Sequence, residues 1–155
     1  MGGQDEHSLD PSMLIARAVI TRRRGKKMHT QSVMVIGQEK GHGAEFRNGG
    51  SVKPWGNAKA LQYMRVAETE GIPIHCYIFT PGSYPIEDYP GAAQQIARNI
   101  YTMAGLRVPV ISIISEGGSG GAEAIGLADK RLMLSHGYYS VISPEGGAAI
   151  EGRLK

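Results

Sequence analysis

The chain has 155 residues, of which 41% are hydrophobic and 20% are charged. This length suffices for one hydrophobic core, and the sequence contains no run of about 18 apolar residues that a membrane helix requires. The single cysteine, Cys76, excludes an internal disulfide framework and a four-cysteine zinc site, and it fits a reducing compartment such as the cytoplasm. The composition therefore predicts one globular domain, or part of one.

The net charge of +3 has a local origin. Five of the 17 basic side chains lie in the segment 22–27, and the rest of the chain carries 12 basic and 14 acidic side chains. A charge run of this kind is typical of a solvated turn, although contact with phosphate or an acidic partner is the alternative. Because no aromatic side chains alternate with the basic ones, we expect no binding to nucleic acid.

The first half of the chain predicts two strands and one helix. Its polar start predicts disorder, and residues 13–155 are assigned to a single domain. Apolar side chains at helical spacing, followed by Gly71 in the position after the last turn, predict a helix that begins at the N-cap Asn57. The predicted elements are, in order, the disordered start 1–12, strand 13–20, basic turn 22–27, strand 32–36, glycine-rich loop 41–56 and helix 57–70.

The second half alternates strands and helices. Each strand ends in a glycine-containing loop that leads into a helix, which places backbone N–H groups and helix N-termini at one edge, as in anion sites. The motif around Pro73 recurs 36 residues later at Pro109 and favours a layered spiral or a βαβ sheet. The predicted elements are strand 72–79, loop 80–85, helix 91–104, strand 108–114, loop 115–121, helix 120–127, strands 131–135 and 139–142, and a helix opened by Ser143 and Pro144.

The densest chemical signal is the segment 117–121 (GGSGG), which lies between a predicted strand and a predicted helix. Glycines let a ligand oxygen approach the backbone, and amides at a helix start stabilise negative charge, as an oxyanion hole requires. A tight turn with close helix–strand packing is the structural alternative.

The same segment fits the G-x-S-x-G pattern of a serine hydrolase. Asp129 and His136 follow Ser119 in the hydrolase order, but only ten and seven residues separate the three, which argues against a catalytic triad. No histidines are paired at metal-binding spacing, so we expect no metal site. His75 and Cys76 are adjacent in a predicted strand and are interpreted as packing residues on opposite faces.

Four segments occur in the order found in one enzyme family. Together they resemble the alpha subunit of bacterial acetyl-CoA carboxylase carboxyltransferase, a member of the crotonase/ClpP-like superfamily, over about residues 32–150. The segments are VMVIGQEKG (33–41), TPGSYP (80–85), EGGSGGAEAIG (116–126) and YSVISPEG (139–146).

The resemblance implies an α/β fold: a crotonase-like spiral of stacked ββα units, incomplete at both ends relative to the family. It implies transfer of a carboxyl group from carboxybiotin to acetyl-CoA, which gives malonyl-CoA for fatty acid biosynthesis. The implied partners are a beta-type carboxyltransferase subunit, a biotin carboxyl carrier protein and further copies of this chain. No metal in this chain, no membrane and no nucleic acid are implied.

The resemblance also implies roles for individual residues. The amides of Gly121 and Ala122 would hold the biotin carbonyl oxygen, with Gly82 in the facing loop. The binding loop itself would be formed by Gly117, Gly118, Ser119 and Gly120.

Two departures from the family pattern keep alternatives open. Phe79 stands where the family usually has Asp, and residues 86–90 differ from the family's acidic, arginine-containing stretch. These changes favour a non-catalytic assembly module that keeps the fold. Another acyl-CoA decarboxylase or hydrolase of the same fold is a further alternative.

Overall fold

The computed structural model describes residues 10–42, 47–82, 90–142 and 144–153. Within these ranges, five strands form one sheet, and four helices accompany them. The strands are β1 (Met13–Arg24), β2 (Lys27–Gln38), β3 (Ile74–Thr80), β4 (Val110–Gly118) and β5 (Lys130–Ser140); the helices are α1 (Pro54–Glu70), α2 (Ala92–Gly105), α3 (Ser119–Glu123) and α4 (Pro144–Arg153), with a short 3-10 turn at Asn48–Gly50.

The sheet has the order β1-β2-β3-β4-β5. The first two strands form an antiparallel hairpin, and the other neighbours are parallel. Parallel neighbours need crossover connections, which contain α1, α2 and α3 in turn. The carboxyl ends of β2, β3 and β4 consequently meet at one edge of the sheet.

One face of the sheet packs against helices. The even-numbered residues of β3 are buried, whereas its odd-numbered residues are at least partly exposed. This alternation follows from the two-residue period of a strand, which sends successive side chains to opposite faces. The buried core includes Met34, Ile36, Ala60, Met64, Ala67, Ile74, Cys76, Ile78, Val110, Ile114 and Ile125.

The basic segment 22–27 is a hairpin tip rather than a broad turn, which corrects the sequence prediction. Strand β1 continues to Arg24 and β2 begins at Lys27, so only Gly25 and Lys26 form the turn. Gly25 has φ of 64°, a value that glycine adopts without strain. Both faces of this part of the hairpin are exposed, so its sequence shows no alternation of apolar and polar residues to mark the strands.

Helix α1 begins at Pro54, three residues before the predicted N-cap, and Asn57 is instead buried in the first turn. A carboxylate distant in sequence caps this helix: Asp10 Oδ2 accepts the amide of Lys53 at 2.7 Å. A Cβ at Gly56 would lie 2.4 Å from the same oxygen, so glycine is needed there. The C-terminal prediction is confirmed, since Gly71 is left-handed with φ of 67°.

The burial and hydrogen bonds of Asp10 also correct the boundary of the predicted disordered start. Asp10 and Ser12 are 7% and 0% exposed, and the Asp10 carboxylate accepts hydrogen bonds from the Ser12 amide (2.9 Å) and from Asn48 Nδ2 (3.2 Å). Residues 10–12 therefore belong to the folded domain, and residues 1–9 of that prediction lie outside the described residues.

The last strand is continuous, although two strands were predicted there. β5 passes through Gly137, where its pairing with β4 changes register between Ile114 and Glu116. A Cβ at Gly137 would lie 2.8 Å from the Ser115 carbonyl oxygen, so the close approach requires glycine. The predicted helix at Pro144 is confirmed as α4, and Ser143 lies outside the described residues.

Candidate active site

The glycine-rich segment is divided between a strand and a helix. Gly117 and Gly118 are the last residues of β4, and Ser119 begins α3, which ends at Glu123. The prediction of a loop over 115–121 and of a helix reaching residue 127 is therefore wrong. Pairing with β3 and β5 keeps the backbone extended up to Gly118, because strand geometry there is set by neighbouring strands and not by local propensity.

Gly118 brings the two predicted site loops into contact. A Cβ at this position would lie 2.1 Å from the carbonyl oxygen of Pro81 and 2.6 Å from its carbonyl carbon. No real side chain tolerates that distance, so the end of β4 and the loop after β3 touch through backbone atoms alone. The TPG segment (80–82) therefore lies against the glycine turn (117–121).

Gly117 has a comparable packing role. A Cβ there would lie 2.6 Å from Cδ2 of Tyr139 and 3.3 Å from the Cβ of Ala122. Glycine at this point lets the Tyr139 ring of β5 pack beneath the turn. The two glycines therefore serve close packing, which was the structural alternative considered for the turn.

Thr80 holds the facing loop. Its hydroxyl donates to the Gly50 carbonyl oxygen at 2.7 Å and accepts the amide of Gly82 at 3.0 Å. Gly82 has φ of 146°, which favours glycine. Because the Gly82 amide already has this partner, the structure gives Gly82 a structural part in the loop rather than a free N–H group for a ligand.

Gln38 fixes the glycine turn from the end of β2. Its Nε2 donates to the carbonyl oxygen of Gly121 at 2.6 Å, and the Gln38 side chain is buried. The Gly121 carbonyl and the Ala122 amide belong to one planar trans peptide group. Holding the carbonyl oxygen on one side therefore sets the direction of the Ala122 N–H on the other.

The turn is open to solvent at one residue and closed at two others. Gly121 and Ala122 are buried, whereas Gly120 is partly exposed. Gly120 lines a pocket of about 270 Å³ together with Glu123, Tyr139 and Ser140. Of the described residues in the turn, Gly120 is therefore the one that a ligand in this pocket reaches first.

A charged cluster that was not expected from the sequence lies beside the turn. Glu116 pairs with Lys40 Nζ and accepts a hydrogen bond of 2.5 Å from the Tyr138 hydroxyl. Lys40 also lies over the ring of Phe79, 5.2 Å from its centroid. The positions of these residues in the sequence could have indicated the cluster, because each lies at or near the carboxyl end of a strand. Lys40 follows β2, Phe79 nearly ends β3 and Glu116 directly precedes the glycines.

A buried amide ties the helices behind the turn. Asn99 Nδ2 on α2 donates to the carbonyl oxygens of Asn57 (2.9 Å) and Ala124 (3.1 Å). One side chain therefore links α1, α2 and the end of α3. This arrangement fixes the outer side of the glycine turn relative to the core.

The alternative hydrolase triad does not assemble. Asp129 Oδ2 accepts the amide of Val110, which lies at the start of β4, whereas Ser119 follows the end of the same strand. At about 3.3 Å per residue, β4 separates the two by about 25 Å. His136 is exposed on β5, and the part of the chain that the structure describes contains no group of metal-ligating side chains.

Cys76 and His75 occupy opposite faces of β3, as predicted. Burial raises the pKa of the Cys76 thiol to about 12, so it is not a nucleophile at neutral pH. Burial and the nearby positive charge of Arg22 lower the pKa of His75 from its ordinary value of 6.5. Within residues 10–42, 47–82, 90–142 and 144–153, no helix is long and apolar enough to cross a bilayer.

A family model described as acetyl co-enzyme A carboxylase carboxyltransferase-like matches residues 15–153. The chain belongs to this family. It is 52% identical over 126 residues to the acetyl-coenzyme A carboxylase carboxyl transferase subunit alpha of Nitrosomonas eutropha, with 77% of this chain and 39% of the relative covered. The subunit of the same name from Chlorobaculum parvum is 51% identical over 127 residues, covering 78% and 38%.

Two solved structures share the crotonase-like fold. The transcarboxylase 12S structure with methylmalonyl-coenzyme A and methylmalonic acid bound superimposes with a TM-score of 0.72 at 20% identity, over 92% of this chain and 26% of that one. The beta subunit of P. aeruginosa geranyl-CoA carboxylase gives 0.68 at 21% identity, over 94% and 26%. At these identities the similarity establishes the fold alone.

The chain spans about two-fifths of the length of the curated relatives that it matches. Its assignment to the family rests on the matched segment, which includes both site loops.

Proposed function

We propose that this chain supplies the carboxybiotin side of an acetyl-CoA carboxyltransferase. The reaction moves a carboxyl group from carboxybiotin to acetyl-CoA and forms malonyl-CoA in the cytoplasm. A beta-type subunit completes the acyl-CoA side, a biotin carboxyl carrier protein delivers the substrate, and the chain self-associates. Carboxybiotin and acetyl-CoA are substrates in this proposal, and no metal in this chain takes part.

One observation carries the proposal: the backbone contact between Gly118 and Pro81. It joins two of the four segments that resemble the family, at the carboxyl ends of the adjacent parallel strands β3 and β4. Ligand sites of open parallel sheets lie at such edges. A family member that keeps both loops and their mutual contact keeps the framework of the site.

The chemistry needs hydrogen-bond donors more than it needs a nucleophile. The carboxyl carbon leaves the biotin ring nitrogen and bonds to the α-carbon of acetyl-CoA. The α-carbon loses a proton, which goes to the biotin ring nitrogen. Negative charge develops on the biotin carbonyl oxygen as its C–N bond breaks. Fixed N–H groups stabilise such charge, and removal of one typically costs about 3 kcal/mol of transition-state stabilisation.

The donors in this proposal are amides of the glycine turn. Gly120 lines the pocket. The proposed donors are the amides of Gly121 and Ala122, and Gln38 orients the Ala122 amide through the peptide group that it shares with the Gly121 carbonyl. Gly117 and Gly118 shape the turn, and Gly82 shapes the facing loop. Ser119 contributes its backbone position in α3.

Malonyl-CoA decarboxylation with free biotin as acceptor tests the proposal. It is run with the 155-residue chain alone and after addition of a beta-type subunit. We expect biotin-dependent activity only in the mixture, because each chain holds one half of the site.

The other possible functions predict different results. Biotin-independent turnover of malonyl-CoA by the chain alone would replace the proposal with a decarboxylase. Failure in the mixture, with the complex formed, would favour a non-catalytic assembly module. The stacking of Phe79 on Lys40 favours this second candidate, since an aromatic ring stands where the family usually has a carboxylate.

A further inference from the structure

A second cleft lies at the opposite edge of the sheet from the glycine turn. It has a volume of about 420 Å³ and is bounded by the β1–β2 hairpin and by the segments that enter β3 and β4. This volume lies in the range of small-molecule pockets. From His75 to the end of β3, and from Ile111 to the end of β4, the strands span about 20 Å. The cleft is therefore separate from the candidate active site.

The hairpin side of the cleft is cationic. Arg22 and His29 are directly paired across β1 and β2, so their side chains share one face. His75 on β3 lines the same cleft. Three nitrogen-bearing side chains, one from each of three strands, therefore line the same cleft.

The positive charge of the cleft has no acidic counterpart among the described residues that line it. The ion pair on the same hairpin joins Arg17 to Glu70 of α1, and Arg17 projects from the helix-covered face, opposite to Arg22. The Arg22 charge also acts on His75, since it contributes to the lowered pKa of that imidazole. Among the described residues that line the cleft, the Arg22 charge is therefore not offset by a carboxylate.

The floor of the cleft is apolar. It is formed by Ile20, Val33, Pro73, Pro109 and Ile111. A cationic wall above an apolar floor suits an anion that carries an organic group, because the charge meets donors while the apolar part is removed from water.

We propose that this cleft binds a small phosphorylated ligand, with its phosphate between Arg22, His29 and His75 and its organic part on the apolar floor. Arg22 offers a forked donor to the phosphate oxygens, and each imidazole donates one further N–H. The site is independent of the carboxyltransferase proposal, since it uses none of the same residues.

The hairpin provides a matched pair of variants for the test. Arg22→Gln and Arg23→Gln each remove one positive charge from adjacent positions of β1, but the two side chains project from opposite faces. A general attraction between anions and the basic tip would be weakened equally by both. A site inside the cleft would be weakened by Arg22→Gln alone.

The experiment follows the ring Cε1–H signals of the histidines by NMR in the full chain, at constant ionic strength. The probes are phenyl phosphate, inorganic phosphate and phenol. We expect phenyl phosphate to shift His29 and His75 saturably, without shifting His136, and to bind more tightly than either fragment. Arg22→Gln should weaken phenyl phosphate binding about tenfold or more, since it removes a charge-assisted donor, while Arg23→Gln leaves it nearly unchanged.

Three results would overturn the proposal. They are the absence of a saturable shift at millimolar phenyl phosphate, equal weakening by the two arginine variants, and a shift of His29 without one of His75. Circular dichroism of each variant verifies that the fold is intact. His29→Gln gives a second variant on the exposed hairpin, and it should weaken binding in the same direction as Arg22→Gln.

Discussion

The side-chain amide of Gln38 donates a 2.6 Å hydrogen bond to the carbonyl oxygen of Gly121, across 83 residues of sequence. Gln38 is the last residue of β2, and Gly121 lies in α3, which follows the end of β4. Because the peptide group is rigid, the bond aims the Ala122 amide as well as anchoring the turn. Gln38 therefore acts as a positioning residue in the proposed site.

Replacing Gln38 by Ala should lower both stability and activity. The change leaves the buried Gly121 carbonyl without its donor, which costs about 1–3 kcal/mol in the free energy of unfolding. It also frees the peptide that carries the Ala122 amide, and we expect the turnover number of the reconstituted complex to fall about tenfold or more, since small misplacements at a reacting centre are costly. Denaturant unfolding and the malonyl-CoA assay measure the two effects.

The control for this variant is Gln62→Ala on the exposed surface of α1, which should change neither quantity. Gln38→Ala tests positioning because a purely structural residue would affect stability without affecting turnover in the folded population. Full turnover in a measurably destabilised Gln38→Ala protein would contradict the positioning role.

Gly118→Ala should separate the two site loops. The added Cβ would lie 2.1 Å from the Pro81 carbonyl oxygen, so one backbone must move. Overpacking of this kind costs about 1–3 kcal/mol, and we expect carboxyltransferase activity to be lost in the complex. Thermal unfolding and the malonyl-CoA assay report the two changes.

Gly105→Ala is the matched comparison for that change. Gly105 ends α2, and a Cβ there meets nothing within 4 Å. The substitution should raise stability by about 0.5–1 kcal/mol, because alanine restricts the unfolded chain more than glycine does. Equal destabilisation by the two glycine variants would show that the Pro81 contact is not the cause.

His75 should make stability depend on pH. Burial and Arg22 lower its pKa in the folded protein below the ordinary value of 6.5, and His29 and Lys130 lie on the same sheet face. The unfolded chain then binds the proton more readily, so stability rises with pH up to about 6.5 and is constant above it as far as this group is concerned.

His75→Gln should flatten the His75 part of that profile between its folded pKa and 6.5. Denaturant unfolding at a series of pH values measures the slope, and His136→Gln on the exposed part of β5 serves as the comparison. An unchanged slope in His75→Gln would show that this imidazole titrates alike in the folded and unfolded states.

The Cys76 thiol should react only when the protein opens. It is fully buried, and its pKa of about 12 leaves almost no thiolate at neutral pH. A disulfide reagent should therefore label native protein slowly and unfolded protein at the rate of a free cysteine. Rapid labelling of the native chain, without a loss of circular dichroism, would show that β3 opens locally.

Sequence patterns predicted elements best where local chemistry decides them. Gly71 ends α1 because its left-handed conformation suits glycine, and the apolar strand before TPG is recognisable from its composition. The start of α1 was placed three residues late because its cap, Asp10, is 43 residues from Lys53 in sequence. The hairpin arms and the continuous β5 were missed because cross-strand pairing, not side-chain pattern, keeps them extended.

The sequence by itself determined the family and the identity of the glycine turn. A glycine permits close backbone contact because it has no side chain, and residue type is read directly from the sequence. Only the tertiary structure decided that Gly118 touches Pro81, that Gln38 holds Gly121, and that Lys40, Phe79 and Glu116 form one cluster. These contacts join the ends of different strands. Their partners are set by strand order and register, which arise from the packing of the whole sheet and not from any local stretch of sequence.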